Sequence, residues 1–333
     1  MYAMNKLYNC GIFQGAGKHK HYFEGWYFKH VDQREQDVIS IIPGVSIEEK
    51  ASKSHAFIQI LDGKNYKTYY IRYDIEEFSF SKKSFEFSIG NNHFSDKGIE
   101  LNIVHEDITL QCSVTYSKLI HWPRGITSPS SMGWYAYIPI MECYHGVLSL
   151  QHNIVGQMKL NDRTIDFDDG TGYIEKDWGT SFPSSWVWLQ SNHFDIKSIS
   201  LMLSIAKIPW NQRGFVGLIS GLWYDNKVYR FATYTGSNID YLQINDKKIS
   251  IKISDKNYCL FIEALTGDAA SLQAPSNGAM TGTVMESISG TMSIKLHDKK
   301  SDRIILEARA RCCGMEIAGK TQELLFCPDA WGI

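Results

Sequence analysis

The sequence is poor in the features that mark nucleic-acid-binding and membrane-spanning proteins. Its formal net charge is -2 and it contains no long run of lysine or arginine, so it lacks the electropositive surface that tracks a phosphate backbone. No window approaches about 18 uninterrupted apolar residues, the length that a spanning helix requires. We therefore expect no nucleic-acid partner and no spanning helix, whereas peripheral contact with a membrane remains compatible with the sequence.

The sequence also lacks the common catalytic and cofactor motifs. It has no G-x-x-x-x-G-K-[ST], no G-x-S-x-G, no G-x-G-x-x-G after a strand and no H-E-x-x-H. The seven cysteines are scattered without a C-x-x-C pair, which favours free thiols over disulfides or a zinc site. The stretch GAGKHKH contains His19 and His21, but their spacing suits neither a phosphate loop nor a metal site. We expect no metal and no cofactor.

The N-terminal stretch MYAMNKLYNCGIFQGAGKHKHYFEGW shows no basic segment followed by an unbroken apolar segment, the pattern of a secretory signal. A cytoplasmic location is therefore the expectation, and it is compatible with membrane association. Hydrophobic residues make up 44% of the chain and charged residues 21%, which is typical of a compact folded protein. The sequence does not predict the oligomeric state.

Short segments that alternate apolar and polar residues recur along the whole chain. Examples are WYFKHV, HAFIQILDG, TYYIRYDI, ITLQCSVTY, WVWLQSNHF and GFVGLISGLWY. Turn clusters such as DGKN, GNN, YDNK and NDKK separate these segments at the spacing of antiparallel hairpins. Helical periodicity is scarce, and the best candidate is a turn or two in SPSSMGWYAYIPIMECY. We predict an all-β protein.

A weak internal repeat predicts two domains. The stretch GWYFKHVDQREQDVISIIPGV, followed by HAFIQILDGKNYKTYYI, has the same layout as SWVWLQSNHFDIKSISLMLSIAKIP, followed by GFVGLISGLWYDNKVYRFATY, about 160 positions later. We interpret the halves, residues 1–180 and 181–333, as two similar antiparallel β-domains packed together. Closed or nearly closed barrels are favoured because closure removes exposed strand edges.

Strand alternation divides the segment YIEKDWG into two faces. One face carries an aromatic residue and two carboxylates, Tyr173, Glu175 and Asp177, and the other carries Lys176 and Trp178. If the carboxylate face points into a barrel, burial raises at least one carboxyl pKa, and an acid that stays protonated at neutral pH can donate a proton. If that face is exposed to solvent, the two acids are ordinary surface charges.

The next segment, SSWVWLQSNHF, places two tryptophans and two carboxamides on one face, Trp186, Trp188, Gln190 and Asn192. An apolar wall with a few hydrogen-bonding groups is typical of a ligand cavity. Alternatively, the tryptophans fill a barrel core and the amides lie at its rim. His193 falls on the opposite face, where a lone histidine is more often structural than catalytic.

Near the N-terminus, HYFEGWYFKH repeats this combination, with Glu24 and Trp26 on one face. Glu24 precedes a glycine, at which the backbone can bend. We interpret Glu24 as a second candidate acid, or equally as an exposed residue at the end of a strand.

Four segments together resemble the tocopherol cyclase family, in order and across nearly the whole chain. They are YFEGWYFK, GTGYIEKDWGTSFPSSWVWLQSNHF, LQAPSNGAMTGTVMESISGTM and CGMEIAG. The resemblance implies a pair of lipocalin-like β-domains, a fold shared with carotenoid hydratase-type proteins. It also implies the family's activity, in which a prenylated hydroquinone is protonated at its nearest side-chain double bond and the phenolic oxygen captures the cation. That chemistry needs a well-aimed acid and walls that exclude water, but no metal or redox cofactor.

The resemblance also suggests site residues. The positions that match the family's motifs are Glu24, Trp26, Glu175, Asp177, Trp178, Trp186, Trp188, Gln190, Asn192 and His193. We predict Asp177 as the proton donor, with Glu24 and Glu175 as alternatives. The carboxamides and His193 are predicted to contact the hydroquinone, and the tryptophans to line the cavity and stabilise a passing cation.

The substrate and the activity stay open within this resemblance. The composition, rich in lysine and isoleucine and poor in proline, is typical of a bacterial protein, and a different isoprenoid or polyene is therefore an alternative substrate. Cyclisation, hydration and pericyclic chemistry on such a substrate are all compatible with the motifs. The remaining alternative is a lipocalin-type carrier that binds an apolar ligand without changing it.

Overall fold

The structure, a computed structural model, describes residues 6–210 and 214–324. Antiparallel β-strands make up most of these residues and are joined by loops, hairpin turns and short 3₁₀ turns. They divide into two compact units, Met1–Phe182 with Ser271–Thr283, and Pro183–Ala270 with Val284–Ile333. The all-β prediction is confirmed. Within the described ranges, no helix has the length and apolar character that crossing a membrane requires.

The first unit contains a 12-stranded antiparallel sheet that curls into a nearly closed barrel. Its strands are β1 (Tyr22–Val31), β2 (Val38–Ile47), β3 (His55–Asp62), β4 (Lys67–Asp74), β5 (Phe78–Phe80), β6 (Glu86–Ile89), β7 (Asn92–Ser95), β8 (Gly98–His105), β9 (Ile108–Ile120), β10 (Cys143–Leu160), β11 (Arg163–Asp166) and β12 (Gly170–Gly179). In space they run β4-β3-β2-β1-β12-β10-β9-β8-β7-β6-β5, and β11 pairs with β10.

The other sheet is antiparallel and 11-stranded, and all of its strands except β21 (Ala269–Ser276) lie wholly or mainly in the second unit. Its strands are β13 (Ser185–Ser191), β14 (His193–Phe194), β15 (Ser200–Ile208), β16 (Phe215–Tyr224), β17 (Lys227–Ala232), β18 (Asn238–Asn245), β19 (Lys248–Ser254), β20 (Tyr258–Leu265), β21 (Ala269–Ser276), β22 (Ala279–Asp298) and β23 (Arg303–Gly319). The order is β17-β16-β15-β13-β23-β22-β20-β19-β18, with β14 beside β23 and β21 beside β22.

The 3₁₀ turns lie between strands. They span Ala51–Lys53, Ile75–Glu77, Gly133–Tyr137, Thr233–Thr235 and Thr321–Glu323. The turn Gly133–Tyr137 falls within the segment that the sequence marked as its best helical candidate, and the structure gives that segment a single short turn there.

Most of β21, the turn after it and the start of β22, Ser271–Thr283, belong to the first unit, which the sequence did not predict. Gln59 and Gln273 exchange two hydrogen bonds, at 3.1 Å from Gln59 Nε2 to the Gln273 carbonyl and 2.6 Å from the Gln273 N–H to Gln59 Oε1. Ser46 Oγ donates to the Gly278 carbonyl at 2.8 Å. Contacts between residues so far apart in the chain leave no local pattern, and the sequence therefore assigned this segment to residues 181–333.

Inside the first barrel, a buried ion pair joins β1 to β12. Lys176 Nζ lies 2.5 Å from Glu24 Oε1, and both side chains are fully buried. The same ammonium donates to the carbonyls of Cys10 and Ile12, at 2.7 and 2.8 Å. Burial lowers the pKa of Lys176, and the Glu24 carboxylate opposes this shift. The pair thereby ties the N-terminal segment to the barrel.

The Glu24 carboxylate has further donors on its other side. The backbone N–H groups of Gln14 and Gly15 each donate to it at 2.9 Å, and the Tyr22 hydroxyl donates to Oε2. A buried charge is stable only when it is paired and hydrogen-bonded, and Glu24 meets both conditions.

We predict that breaking this ion pair strongly destabilises the first unit. Glu24→Gln or Lys176→Met leaves one buried charge without its partner, so each substitution should lower the free energy of unfolding by about 3 to 5 kcal/mol. The double variant should lose less than the sum of the two single losses, because no unpaired charge remains. Urea unfolding, followed by circular dichroism, measures these differences.

The control is Lys64→Met, since Lys64 pairs with Asp37 at 3.4 Å while its own side chain is half exposed. Its cost should stay below about 1 kcal/mol. Losses at Glu24 and Lys176 no larger than the loss at Lys64 would contradict the role given to the buried pair.

Candidate functional site

The face of β12 that points away from the barrel core carries the two predicted acids. In the β10–β12 register, His145 lies opposite Asp177 and Val147 lies opposite Glu175. Because alternate residues of a strand share a face, β12 presents Glu175 and Asp177 together while Lys176 points to the opposite, inner face. The alternation predicted for this segment is therefore the one that the structure has.

Four side chains on this outer face form a continuous polar chain, which we call the acid–histidine cluster: Tyr173, Glu175, His145 and Asp177. The Tyr173 hydroxyl donates to Glu175 Oε2 at 2.5 Å. His145 Nε2 lies 3.6 Å from Glu175 Oε2, and His145 Nδ1 lies 2.9 Å from Asp177 Oδ1. One imidazole thus lies between two carboxylates.

The charges of the cluster favour a protonated histidine. Burial by itself would lower the pKa of His145, but the charges of Asp177 and Glu175 and the hydrogen bond to Asp177 outweigh it and raise the pKa to about 9. Burial, and next the charge of Glu175, raise the pKa of Tyr173 well above its ordinary value. The tyrosine therefore stays a neutral donor while His145 holds a proton between the acids.

Exposure distinguishes the members of the cluster. The side chain of Asp177 is 25% exposed, whereas those of His145 and Glu175 are 13% and 7% exposed. Tyr173 is fully buried. Asp177 is the member that an incoming molecule reaches most easily, and the others lie behind it.

The neighbouring strands extend the polar face. Tyr27 on β1 lies opposite Glu175, and its hydroxyl accepts a hydrogen bond from Ser40 Oγ at 2.8 Å. Lys29, which is buried, lies opposite Tyr173. The face around the cluster therefore combines hydroxyl groups, acids and a cation.

His145, Glu175 and Asp177 also form a set that could hold a metal ion, because one ligand atom of each lies within 4.8 Å of the others. One imidazole nitrogen and two carboxylate oxygens would suit a transition metal or zinc. In this arrangement, however, the two carboxylates contact different nitrogens of the imidazole. That geometry fits a shared proton better than a shared ion.

Glu24, Trp26 and Trp178 lie on the other side of the sheet. Lys176 Nζ lies 4.6 Å from the ring centroid of Trp26 and 4.9 Å from that of Trp178, so the two indoles flank the buried ammonium. Trp26 Nε1 donates to the Gly11 carbonyl at 2.9 Å. With its ion pair and hydrogen bonds, Glu24 has the surroundings of a structural residue, which do not support the alternative of Glu24 as proton donor.

The other five predicted site residues belong to the second unit. Trp186, Trp188 and Gln190 lie on β13, on the face opposite that unit's core residues, while Asn192 and His193 follow. Trp188, Gln190 and Asn192 are buried, and Trp186 and His193 are half-buried. The structure thus places these residues and the acid–histidine cluster in different units.

The second unit contains an acidic pair that the sequence analysis did not select. Trp186 Nε1 donates to Glu316 Oε2 at 2.6 Å. Glu316 lies directly opposite Glu286, which is buried, in the β22–β23 register. The segments VMESISG and CGMEIAG were recognised as motifs, but only the register brings their acids together.

His145 is the main residue that the sequence analysis missed. It lies in the segment CYHGVLSL, which alternates like many other strands of this chain. Its importance comes from the pairing of β10 with β12, two strands that are separated in the chain by β11. Cross-strand register is not readable from one sequence, so no signal marked His145.

A cavity in the first barrel is small. It measures about 150 Å³ and its lining includes Cys10, Phe85, Leu119, Trp122 and Ile174. Pockets that bind small molecules usually measure about 300 Å³ or more. This cavity is therefore too small for a prenylated ring.

Comparison with known proteins gives a family. The family model described as "Tocopherol cyclase-like" matches residues 101–319. A chloroplastic tocopherol cyclase of Zea mays is 25% identical over 201 residues, and the corresponding protein of Oryza sativa subsp. japonica is 26% identical over the same length. Each alignment covers 57% of this chain and 42% of the relative, so the chain spans less than half the length of these curated relatives.

Solved structures with a similar fold include CghA with Sch210972, at a TM-score of 0.56 and 6% identity over 90% of this chain and 88% of that one. Kievitone hydratase from Nectria haematococca has a TM-score of 0.51 and 11% identity, over 90% and 89% of the two chains. At such low identities the likeness supports the lipocalin-like fold alone.

We predict that Asp177 and Glu175 hold the His145 proton. The folded-state pKa of about 9 lies above the ordinary histidine value, so the charged imidazole adds stability below about pH 6.5 that is lost as the pH rises through 9. Asp177→Asn should move the imidazole pKa down by at least about one unit, because it removes the nearer charge. NMR titration of histidine side chains, with His145→Gln to assign the signal, measures the shift. An unchanged titration in Asp177→Asn would contradict this electrostatic account.

Proposed function

The chain belongs to the tocopherol cyclase-like family, and from this premise we propose that it is an enzyme that closes a ring on a prenylated hydroquinone or a related isoprenoid by acid catalysis. The observation that carries the proposal is the acid–histidine cluster. In this cluster His145 holds a proton, the Asp177 carboxylate is accessible, and the other members are largely buried.

The reaction is an isomerisation in which every atom is kept. A proton adds to the side-chain double bond nearest the ring and leaves a tertiary cation. The phenolic oxygen then forms a bond to the cationic carbon and loses its own proton to a base. One group can serve as acid in the first step and base in the second, so the cluster ends with the proton count with which it began.

We assign the transfer to Asp177 because it is the most exposed member of the cluster. His145 supplies its proton to Asp177 across the 2.9 Å contact between Nδ1 and Oδ1, and takes it back after ring closure. Glu175, held by the Tyr173 hydroxyl, orients the imidazole from the other side. These roles make Asp177 the catalytic residue, and make His145 the proton store.

The substrate contacts predicted for the other site residues are predictions separate from the proton transfer. Substrate binding by Trp186, Trp188, Gln190, Asn192 and His193 concerns the second unit, where carboxamides can accept or donate hydrogen bonds to ring hydroxyls. For Trp26 and Trp178, packing around Lys176 supports a structural role instead of a substrate contact.

Hydration is the second candidate. If water instead of the phenolic oxygen captures the same cation, the product is an alcohol, and the acid required is identical. The observation that favours this candidate is the similarity of the fold to that of a kievitone hydratase. A carrier without activity is the third possibility and needs no acid at all.

We predict that Asp177→Asn lowers turnover of a prenylated hydroquinone by about 10² to 10⁴, the contribution usual for a general acid. Substrate affinity should change little, because the amide keeps the size of the carboxyl group. Chromatographic retention with mass spectrometry measures the product, since ring closure changes retention without changing mass.

The matched control is Asp169→Asn, at an exposed position in the turn before β12 that tolerates asparagine because its φ is 59°. Its turnover should equal that of the wild type. Equal rates for Asp177→Asn and wild type would remove Asp177 from the mechanism. A product that has gained one water would favour the hydratase, and tight binding without any product would favour the carrier.

A further inference from the structure

The connection between β9 and β10, residues 121–142, exposes an unusual amount of apolar surface. Ile126 and Ile140 are 83% and 80% exposed, and Tyr137 and Trp134 are 45% and 44% exposed. When several large apolar side chains of one connection are this exposed, they usually mark an interaction surface.

This connection is anchored, so its exposed side chains are held outward by the structure. Trp122, Met132 and Met141 are buried beneath it. The Tyr137 hydroxyl donates to the Ile126 carbonyl, which links two of the exposed residues of the connection. The exposed apolar residues therefore belong to a surface with a defined structure.

Two hydrogen bonds fasten the connection to β10, the strand that carries His145 of the acid–histidine cluster. Ser131 Oγ donates to the backbone carbonyl of His145 at 2.8 Å. The hydroxyl of Tyr144, the residue before His145, donates to the Ile138 carbonyl at 2.5 Å. The exposed surface and the candidate site are thus joined through β10.

The charged groups of this region are mainly cationic. Lys118, near the end of β9, and Arg124 are both exposed, and the acid within residues 121–142 is Glu142, which is half-buried at the end of the connection. Arg124 Nη1 donates to the neutral carbonyl of Tyr8 at 2.5 Å, so its charge is not cancelled by that partner. Among the described residues, neither cation takes part in an ion pair.

We propose that residues 121–142 are a docking surface for a lipid bilayer with anionic headgroups. Tryptophan and tyrosine favour the depth of the headgroups, isoleucine favours the acyl region below, and lysine and arginine favour anionic lipid. The connection supplies the exposed aromatic and aliphatic side chains and Arg124, and Lys118 lies near the adjoining end of β9.

The second part of the inference rests on the proposed function. A prenylated hydroquinone dissolves in the bilayer, and a surface that docks there beside β10 would collect the substrate next to Asp177. Membrane docking itself requires only the exposed residues. The two claims therefore fail separately.

Sedimentation with vesicles of phosphatidylcholine and phosphatidylglycerol tests the docking surface. The double variant Ile126→Ser with Ile140→Ser should bind these vesicles about tenfold more weakly than the wild type. Its matched control, Val104→Ser with Val155→Ser, removes two aliphatic side chains that are 81% and 50% exposed elsewhere on the first unit. The control should bind within about twofold of the wild type.

Further outcomes decide the proposal. Binding should weaken when salt rises from about 0.1 to 1 M, because the Debye length falls from about 10 to 3 Å. Absence of wild-type binding to any vesicle, or equal losses in both double variants, would overturn the docking surface. Self-association of the wild type that the Ile126 and Ile140 changes abolish, seen by analytical ultracentrifugation, would assign the surface to a second copy instead.

Activity separates docking from the proposed function. With substrate in vesicles, the Ile126 and Ile140 variant should turn over about tenfold more slowly, and with substrate dispersed in detergent it should match the wild type. Normal binding of the wild type to vesicles, with no turnover in either medium, would reject the proposed function and leave the docking surface intact.

Discussion

The buried ion pair between Lys176 and Glu24 is the constraint on which the first unit depends. Two charges can remain in a barrel interior only if each keeps its partner and its hydrogen bonds. Here the N-terminal segment provides several of these hydrogen bonds. The pair therefore fixes the register of β12 against β1. A shift of β12 by one residue would move Lys176 out of the interior, away from Glu24, and would turn Glu175 and Asp177 inward, away from His145.

From this register follow the two faces of β12 and their different chemistry. On the inner face, one cation and one carboxylate are matched and fully buried, which suits a permanent structural pair. On the outer face, the imidazole of His145 contacts two carboxylates, and the side chain of one of them, Asp177, is 25% exposed. A proton shared among such groups can be moved, whereas a fully matched and buried pair resists change. The same strand thus supplies both the support and the reactive groups.

The sequence predicted those parts of the molecule that depend on local pattern. Alternation gave the all-β fold and the common face of Tyr173, Glu175 and Asp177, because side-chain direction in a strand has a period of two. Motif resemblance gave the family. The role of His145 and the placement of Ser271–Thr283 in the first unit could not be predicted, because both depend on contacts between distant segments. Glu24 was selected as an acid, but the lysine that pairs with it lies on another strand.

Ring closure in deuterium oxide tests the central claim most directly. Protonation of the side-chain double bond by an exchangeable acid would place one solvent deuteron on a carbon of the product, from which it cannot wash out. The account predicts a product that is one mass unit heavier after return to ordinary water, with the label on the carbon next to the new carbon–oxygen bond. A cyclised product without deuterium on carbon would contradict acid catalysis by the cluster.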